Sequence, residues 1–109
     1  MNKPQKLATE LVDFAADMLK CVGHPVRLRI VELLEEAGEA PVNQLQDLLQ
    51  LPQPVVSQHL TKMKAIGLLR SRRSQGLVFY SVALPQLFAL LNCIRGCQPN
   101  RVLTQPIAG

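Results

Sequence analysis

Apolar residues recur along the start of the chain at the spacing of one face of a helix. Four of them follow one another at steps of four, three and four residues: Leu7, Leu11, Phe14 and Met18. Side chains at these steps share one side of an α-helix, and the acidic residues of the stretch lie at outward positions. We therefore predict a first helix from about Pro4 to Lys20.

Proline, glycine and asparagine mark the ends of the next two helices. Pro25 suits the first turn of a helix, where its missing N–H costs no hydrogen bond, and the pattern predicts a second helix from Pro25 to about Ala37, ending at Gly38. Asn43 is a candidate cap for a third helix from Gln44 to Gln50. The apolar residues expected to face inward on this third helix are Leu45, Leu48 and Leu49.

A fourth helix follows a proline-broken turn and ends at a glycine. The pattern predicts this helix from Gln53 or Pro54 to about Ile66, with Gly67 as its C-terminal stop. Its buried stripe is predicted to be Val56, Leu60 and Met63, at positions i, i+4 and i+7.

The spacing then changes from helix to strand. Two short extended runs, Leu68–Arg73 and Leu77–Val82, are separated by three residues that end in Gly76. Glycine readily adopts the positive φ angles of tight turns, so the two runs predict a β-hairpin.

A last helix is predicted to begin near Pro85 and to end at Arg95-Gly96. Its apolar face is predicted to consist of Leu84, Leu87, Leu91 and Ile94. The segment after it, residues 98–109, contains two prolines and no periodicity, so we expect a flexible C-terminal tail. A chain of 109 residues suits one folded domain, residues 1–97, followed by this tail.

The order of these elements predicts a mainly α fold with a small β-hairpin wing. Two short helices joined by a tight turn and followed by a basic hairpin are typical of a winged helix-turn-helix, here with about five helices. In such units the second helix of the pair lies in the major groove of DNA.

Charge is divided unevenly along the chain. All eight acidic residues lie at or before Asp47 together with five bases, so the net charge of that part is 5 − 8 = −3. From Leu48 onward there are seven bases and no acid, a net charge of +7. Such a basic stretch is the electrostatic footprint of a surface that binds phosphate backbone, although a solvated basic face would have the same composition.

The polar side of the fourth helix carries donors and acceptors but no carboxylate. Gln58 suits adenine, whereas Lys62 and Lys64 suit phosphate oxygens. Arg72 and Arg73 lie where a wing would reach the backbone or the minor groove. The candidate DNA-binding residues are Gln53, Pro54, Ser57, Gln58, Thr61, Lys62, Lys64, Arg72, Arg73 and Gln75.

Three stretches carry a more specific signal: GHPVRLRIVELL, LPQPVVSQHLTKMKAIGLL and RRSQGLVFYSV. Together they resemble the ArsR/SmtB family of bacterial winged-helix repressors, and the likeness extends from about Leu19 to Leu91. The resemblance implies a homodimer formed through the first and last helices, bound to a pseudo-palindromic operator in double-stranded DNA and released by an inducer. One departure is Pro54, which stands where many relatives have a DNA-contacting serine.

Two metal sites known in that family have no counterpart here. The segment APVNQLQDLL, where the thiol motif before the turn would fall, contains no cysteine. The zinc site of the last helix needs Asp and His, but the only histidines are His24 and His59 and no acid follows Asp47. We expect the two histidines to cap or to form local hydrogen bonds.

Cys21, Cys93 and Cys97 are the remaining candidates for inducer binding, and they are also compatible with a role as small buried residues. Cβ atoms at i and i+4 of a helix lie about 5–6 Å apart, too far for a disulfide without unwinding, whereas a soft ion can bridge them. Some members of the family carry arsenite-binding cysteines around the end of the last helix, and LLNCIRGC resembles those segments. This resemblance leads us to favour trivalent arsenic or antimony, or another soft metal ion, as inducer. Other members use two cysteines as a redox or reactive-sulfur switch, and that alternative, which Gly96 would ease by weakening the helix end, stays open.

Other classes of protein fit the sequence less well. The chain begins without a recognisable secretory signal and has no run long enough to span a membrane, so we expect a cytoplasmic protein. A thiol enzyme would need a C-x-x-C pair or a histidine beside a cysteine, and neither occurs. A winged helix that binds protein or RNA would leave the polar face of the fourth helix unexplained.

Overall fold

A computed structural model describes residues 4–97 of the chain. This part contains five helices and one three-stranded sheet. The elements are α1 (Thr9–Val22), α2 (Pro25–Ala37), β1 (Ala40–Pro41), α3 (Val42–Leu49), α4 (Gln53–Ile66), β2 (Leu69–Ser74), β3 (Leu77–Val82) and α5 (Gln86–Arg95). They form the predicted mainly α fold with a hairpin wing. The predicted tail, residues 98–109, lies outside the described residues.

Helix α1 is displaced toward the C-terminus relative to its prediction. It begins at Thr9 and not near Pro4, because Ala8 has extended backbone angles and no side chain caps the helix N-terminus. It continues past Lys20 because Cys21 and Val22 are both buried in the core. The burial of these two residues, which depends on contacts with other helices, extends α1 beyond the point that the local pattern indicates.

Helix α3 also differs from its prediction. It begins at Val42 after Pro41, so Asn43 lies within the first turn and is not the cap; its Oδ1 accepts a hydrogen bond from Gln44 N at 3.0 Å. Leu45 is fully buried as predicted, but Leu48 is 55% exposed. An eight-residue helix presents only a narrow stripe to the core, and Leu48 falls outside it.

Helices α2, α4 and α5 agree with their predictions. The predicted stripe of α4, Val56, Leu60 and Met63, is fully buried. Gly67 ends α4 with a φ of 91°, and its N–H bonds to carbonyl oxygens of the last turn. The glycine is required here because a side chain at this φ would be strained.

The predicted hairpin forms, but its first strand is shifted by one residue and its turn has two residues instead of three. A third strand joins the hairpin. The strands are antiparallel in the order β1-β3-β2. Gln75 and Gly76 both have positive φ, 53° and 78°, as a tight two-residue hairpin turn requires. Strand β1 pairs Ala40 with Tyr80 and Pro41 with Phe79. Sequence patterning missed β1 because two residues are too few to show alternation.

The core lies between α2, α4, the base of the sheet and the buried side of α5. Its fully buried large side chains are Ile30, Val31, Leu34, Leu45, Val56, Leu60, Met63, Leu68 and Leu87. Among the described residues, no helix is long and apolar enough to cross a membrane.

The apolar face predicted for α1 is only partly buried in the protomer. Leu7, Leu11 and Phe14 are 60%, 50% and 39% exposed, whereas Met18 packs against the core. On α5, Leu87 and Leu91 are buried but Ile94 is 42% exposed. Both helices therefore present apolar surface to the outside of the protomer.

Candidate nucleic-acid interface

Helices α3 and α4 are joined by a tight turn that sets α4 at the surface. Gln50 adopts left-handed angles (φ 56°, ψ 44°) and ends α3. Pro52 immediately precedes α4, and its carbonyl oxygen accepts hydrogen bonds from the N–H groups of Val55 and Val56 at 3.1 and 3.2 Å. This arrangement is a helix-turn-helix in which α4 buries one side and exposes the other.

The exposed side of α4 carries the predicted polar residues. Gln58, Thr61 and Lys62 are exposed, and Ser57 is half-buried. These four residues line one shallow depression in which no acid takes part. Gln53 Nε2 donates to Ser57 Oγ at 3.1 Å, and Pro54 is exposed in the first turn. The helix thus offers amide and hydroxyl groups that can reach the edges of base pairs.

The inward side of α4 is held by a cationic hydrogen-bond cluster. Arg27 of α2 donates through Nε to His59 Nδ1 at 3.0 Å and through Nη1 to the carbonyl oxygen of Cys21 at 2.9 Å. The His24 and His59 rings lie 4.7 Å apart between centroids, and His24 Nδ1 caps α2 by accepting from Val26 N at 3.1 Å. Arg27, on α2, therefore connects the C-terminal end of α1 to α4.

Within residues 4–97, neither histidine belongs to a group of three or more possible metal ligands. His24 caps its own helix, as the sequence analysis expected, whereas the partner of His59 is Arg27, 32 positions away on another helix. Burial lowers the pKa of His59 below its ordinary 6.5, and the nearby charges of His24, Arg27 and Lys62 lower it further. His59 is therefore neutral at pH 7, which leaves its Nδ1 able to accept the hydrogen bond from Arg27.

The residues predicted to contact phosphate or to lie in the wing divide into two groups. Lys62, Arg73 and Gln75 are exposed, and no side-chain hydrogen bond within residues 4–97 involves them. Lys64 Nζ instead donates to Ser71 Oγ of β2 at 2.6 Å, which places the wing against the C-terminal half of α4.

Arg72 is paired with an acid that sequence reasoning missed. Its Nε donates to Glu39 Oε2 at 2.8 Å, and its Nη2 contacts Glu39 Oε1. The hydrogen bond from Arg72, with the attraction of its charge, lowers the pKa of Glu39 below the ordinary 4.5. The two residues are separated by 33 positions, so only the pairing of β1 with β3 could have indicated their contact.

The cysteines lie in two separate places. Cys21 is buried, and its Sγ is 3.8 Å from Arg27 Nη1. Cys93 and Cys97 are both exposed, and Cys97 Sγ lies 3.7 Å from the carbonyl oxygen of Cys93. Within residues 4–97, no group of three or more His, Cys, Asp or Glu side chains is arranged to hold a metal ion. The predicted participation of Cys21 as a third ligand is thus not assembled within one protomer.

The end of α5 is fixed to α2 close to these exposed thiols. Arg95 Nη2 donates to Glu35 Oε1 at 2.6 Å, and Arg95 Nη1 donates to Asn92 Oδ1 at 2.5 Å. Gly96 follows with helical angles, and Cys97 N donates to the carbonyl oxygen of Ile94 at 2.9 Å. Chemistry at Cys93 or Cys97 would therefore act on a helix end that contacts α2 directly.

Comparison with known proteins identifies the same arrangement. A family model described as a helix-turn-helix domain matches residues 22–72. The transcriptional repressor PagR of Bacillus anthracis is 39% identical over 84 residues, which cover 76% of this chain and 83% of PagR. The repressor SmtB of Mycobacterium tuberculosis is 42% identical over 74 residues, which cover 68% of this chain and 54% of SmtB.

Solved structures agree. The crystal structure of PagR superposes with a TM-score of 0.74 at 32% identity and covers 80% of this chain and 99% of PagR. A structure of reduced HlyU from Vibrio cholerae superposes with a TM-score of 0.72 at 28% identity and covers 82% of this chain and 95% of HlyU. The sequence identity and the shared winged fold together show that the chain belongs to the ArsR/SmtB family of winged helix-turn-helix transcriptional repressors.

Proposed function

We propose that the protein is a homodimeric transcriptional repressor that binds operator DNA through α4 and the wing, and that a thiol-reactive inducer releases it. The observation that carries the DNA-binding part is the exposed side of α4. This side carries polar residues but no carboxylate. It lies beside a hairpin whose arginine side chains are exposed. The repressors PagR and SmtB, which are 39% and 42% identical to this chain over the matched residues, support this assignment.

The side chains of α4 divide by chemistry. Gln58 can pair its amide with adenine N6 and N7, while Ser57 and Thr61 can bond to a base edge or to phosphate. Lys62 is exposed at the edge of the same depression and suits a phosphate oxygen. Base preference should therefore depend on Gln58, and overall affinity on the lysine.

Dimerisation is supported by the apolar surface that the protomer leaves uncovered. Leu7, Leu11 and Phe14 of the N-terminal segment and Ile94 of α5 are exposed, although helices usually bury such stripes. A two-fold dimer would cover this surface with its own copy. Its two α4 helices would then contact half-sites about 34–36 Å apart, one turn of DNA.

Cys93 and Cys97 are the thiols that an inducer can reach. Both are exposed at the end of α5, on a helix end that Arg95 joins to Glu35 of α2. Arsenous acid would exchange two hydroxyl groups for two cysteine sulfurs and release two water molecules, one proton coming from each thiol. Strain at this helix end would reach α2 and the interface, which is how we expect trivalent arsenic or antimony, or another soft metal ion, to release DNA.

A redox or reactive-sulfur switch is the second candidate, favoured by two observations. The exposed thiols occur as a pair without a third ligand from the described part of the same protomer, and a related fold is known for a protein described as reduced HlyU. An oxidant or a polysulfide would accept two electrons from the pair while the two thiols lose their protons; with a polysulfide, one of its S–S bonds breaks and sulfide leaves. The two cysteine sulfurs then join in a disulfide, or are bridged by sulfur atoms that the polysulfide donates.

The test is anisotropy binding of the reduced protein to the DNA upstream of its own coding sequence, titrated separately with arsenite and with a polysulfide. The matched variants are Cys93→Ser, in the exposed pair, and Cys21→Ser, in the core. Release by arsenite alone, lost in Cys93→Ser and kept in Cys21→Ser, supports a metalloid inducer. Release by polysulfide alone supports the redox switch, and tight binding indifferent to both contradicts the inducer proposal.

A further inference from the structure

The ion pair between Glu39 and Arg72 changes the expected role of the wing. Arg72 presents two donors to the two oxygens of one carboxylate, the fork geometry that makes arginine–carboxylate pairs specific. Its guanidinium carbon also lies 4.9 Å from the centroid of the Phe79 ring. The Arg72 side chain is therefore held by two partners in the protein itself.

The register of the sheet shows the direction in which the Arg72 side chain extends. Arg72 is directly opposite Phe79, and Phe79 is opposite Pro41 on the other side of β3. Antiparallel partners share one face of a sheet. Arg72 thus crosses over Phe79 to reach Glu39 at the far edge, and extends across the sheet and not outward from the hairpin.

Arg73 occupies the opposite face of the hairpin. Successive residues of a strand alternate between faces, so Arg73 shares its face with Ser71, which accepts the hydrogen bond from Lys64 of α4. This is the face that borders α4. Arg73 is exposed, close to the turn, and no side-chain hydrogen bond within residues 4–97 engages it.

We propose that Glu39 is the resident counterion of Arg72, so that Arg72 braces the wing while Arg73 supplies the wing's phosphate contact. This inference rests on the proposed DNA-binding function. A guanidinium that is already paired with a carboxylate adds little positive potential at the DNA surface. Glu39 then limits the affinity of the wing for DNA of any sequence.

Salt dependence distinguishes the two arginines. Each protein cation that neutralises a phosphate contributes a slope of about −0.9 to a plot of log K against log salt. Arg73→Ala should flatten the slope for a mixed-sequence duplex by about 0.9 per protomer, whereas Arg72→Ala should leave it nearly unchanged. Equal flattening by the two substitutions would overturn the proposal.

A double-mutant cycle tests the part played by Glu39. Glu39→Gln should tighten binding to the same duplex at low salt by about threefold or more, with the gain fading as salt screens it. The gain should vanish when Arg72→Ala is present, because it arises from the released guanidinium. If Glu39→Gln tightens binding equally in both backgrounds, Glu39 acts as a bare charge and the pairing is not the cause.

The chain offers a matched control pair on α2. Arg29 Nη1 is bound to Glu32 Oε1 at 2.5 Å, so Arg29→Ala and Glu32→Gln change the same charges away from α4 and the wing, and neither should alter the salt slope. Circular dichroism of each variant checks that it folds.

A measurement without DNA separates this inference from the proposed function. The Nε–H of Arg72 should give a protected NMR signal in the wild-type protein that is lost or shifted in Glu39→Gln. An unchanged signal would overturn the inference whatever the DNA results. A wild-type protein that binds no duplex would instead contradict the proposed function, and the NMR signal would still decide whether Glu39 holds Arg72.

Discussion

Helices α1 and α4 have the same length, 14 residues each, but they differ in how much of their apolar face is buried in the core. The apolar stripe of α4 is fully buried at Val56, Leu60 and Met63. The stripe predicted for α1 is exposed at Leu11 and Phe14 and reaches the core only near its C-terminal end. The same spacing of apolar residues thus forms a buried face on α4 and a largely exposed face on α1.

Hydrophobic periodicity therefore identifies the apolar face of a helix but not the surface that covers it. The stripe of α4 is covered by elements close in sequence, α3 and β2, which pack directly against it. On α1, Met18 packs against the core but Leu11 and Phe14 are left exposed within the described residues, and we expect another copy of the chain to cover them.

The largest effect is expected in the stripe of α4. Leu60→Ala removes a fully buried side chain, and such truncations cost about 2–5 kcal/mol of unfolding free energy because a cavity remains. Chemical denaturation measures the loss. The difference in unfolding free energy between the wild type and the variant should be the same at each protein concentration, once dimer dissociation is included in the fit. A change below about 1 kcal/mol would contradict the packing of α4.

A charge on the stripe of α1 should act on assembly and not on folding. Leu11→Asp is expected to leave the helical circular-dichroism signal in place but to halve the mass found by sedimentation. Operator affinity should fall by about 100-fold or more, because two linked half-site contacts become one. Asp13→Ala on the same helix is the control, and a dimeric Leu11→Asp protein would place the interface elsewhere.

The third effect is a pH dependence at the contact between α2 and α4. Because the pKa of His59 is lowered in the folded protein, the unfolded chain takes up this proton first as pH falls below about 6.5. The free energy of unfolding should therefore decrease as pH falls from about 6.5. His59→Gln, whose amide oxygen can still accept from Arg27, should reduce this dependence in thermal melts at pH 5 to 7, and an unchanged profile would contradict the cluster.

The smallest effect is expected at Leu48, which the sequence pattern placed inward and the structure leaves exposed. Leu48→Gln should change the unfolding free energy by less than about 0.5 kcal/mol, the usual range for surface sites. Leu45→Ala, one turn earlier and fully buried, is the matched contrast. A large loss at Leu48 would mean that another copy of the chain covers it.

The parts of the molecule that the sequence predicted are those governed by local rules. The limits of α2 and α4, the stripe of α4 and the positive φ at Gly76 all follow from nearby residues. The position of each polar residue on the outer side of α4 follows from that stripe.

The parts that could not be predicted depend on contacts between distant positions. The pairing of Glu39 with Arg72 needs β1, whose two residues carry no pattern. The hydrogen bonds of Arg27 to His59 and to Cys21 require the packing of three helices. The sequence charge count treated all seven late bases alike, although Arg72 and Arg95 are paired with acids from the first half of the chain.

Selection of binding sites from a random duplex library by the wild-type protein tests whether the protein binds DNA as a dimer through α4. A dimer that inserts α4 into the major groove should enrich an inverted repeat whose half-sites are separated by about 10–10.5 base pairs, centre to centre. The Gln58→Ala variant, selected in parallel, should lose preference at one position of each half-site. Enrichment of single half-sites, or no enrichment at all, would contradict operator binding by a dimer through α4.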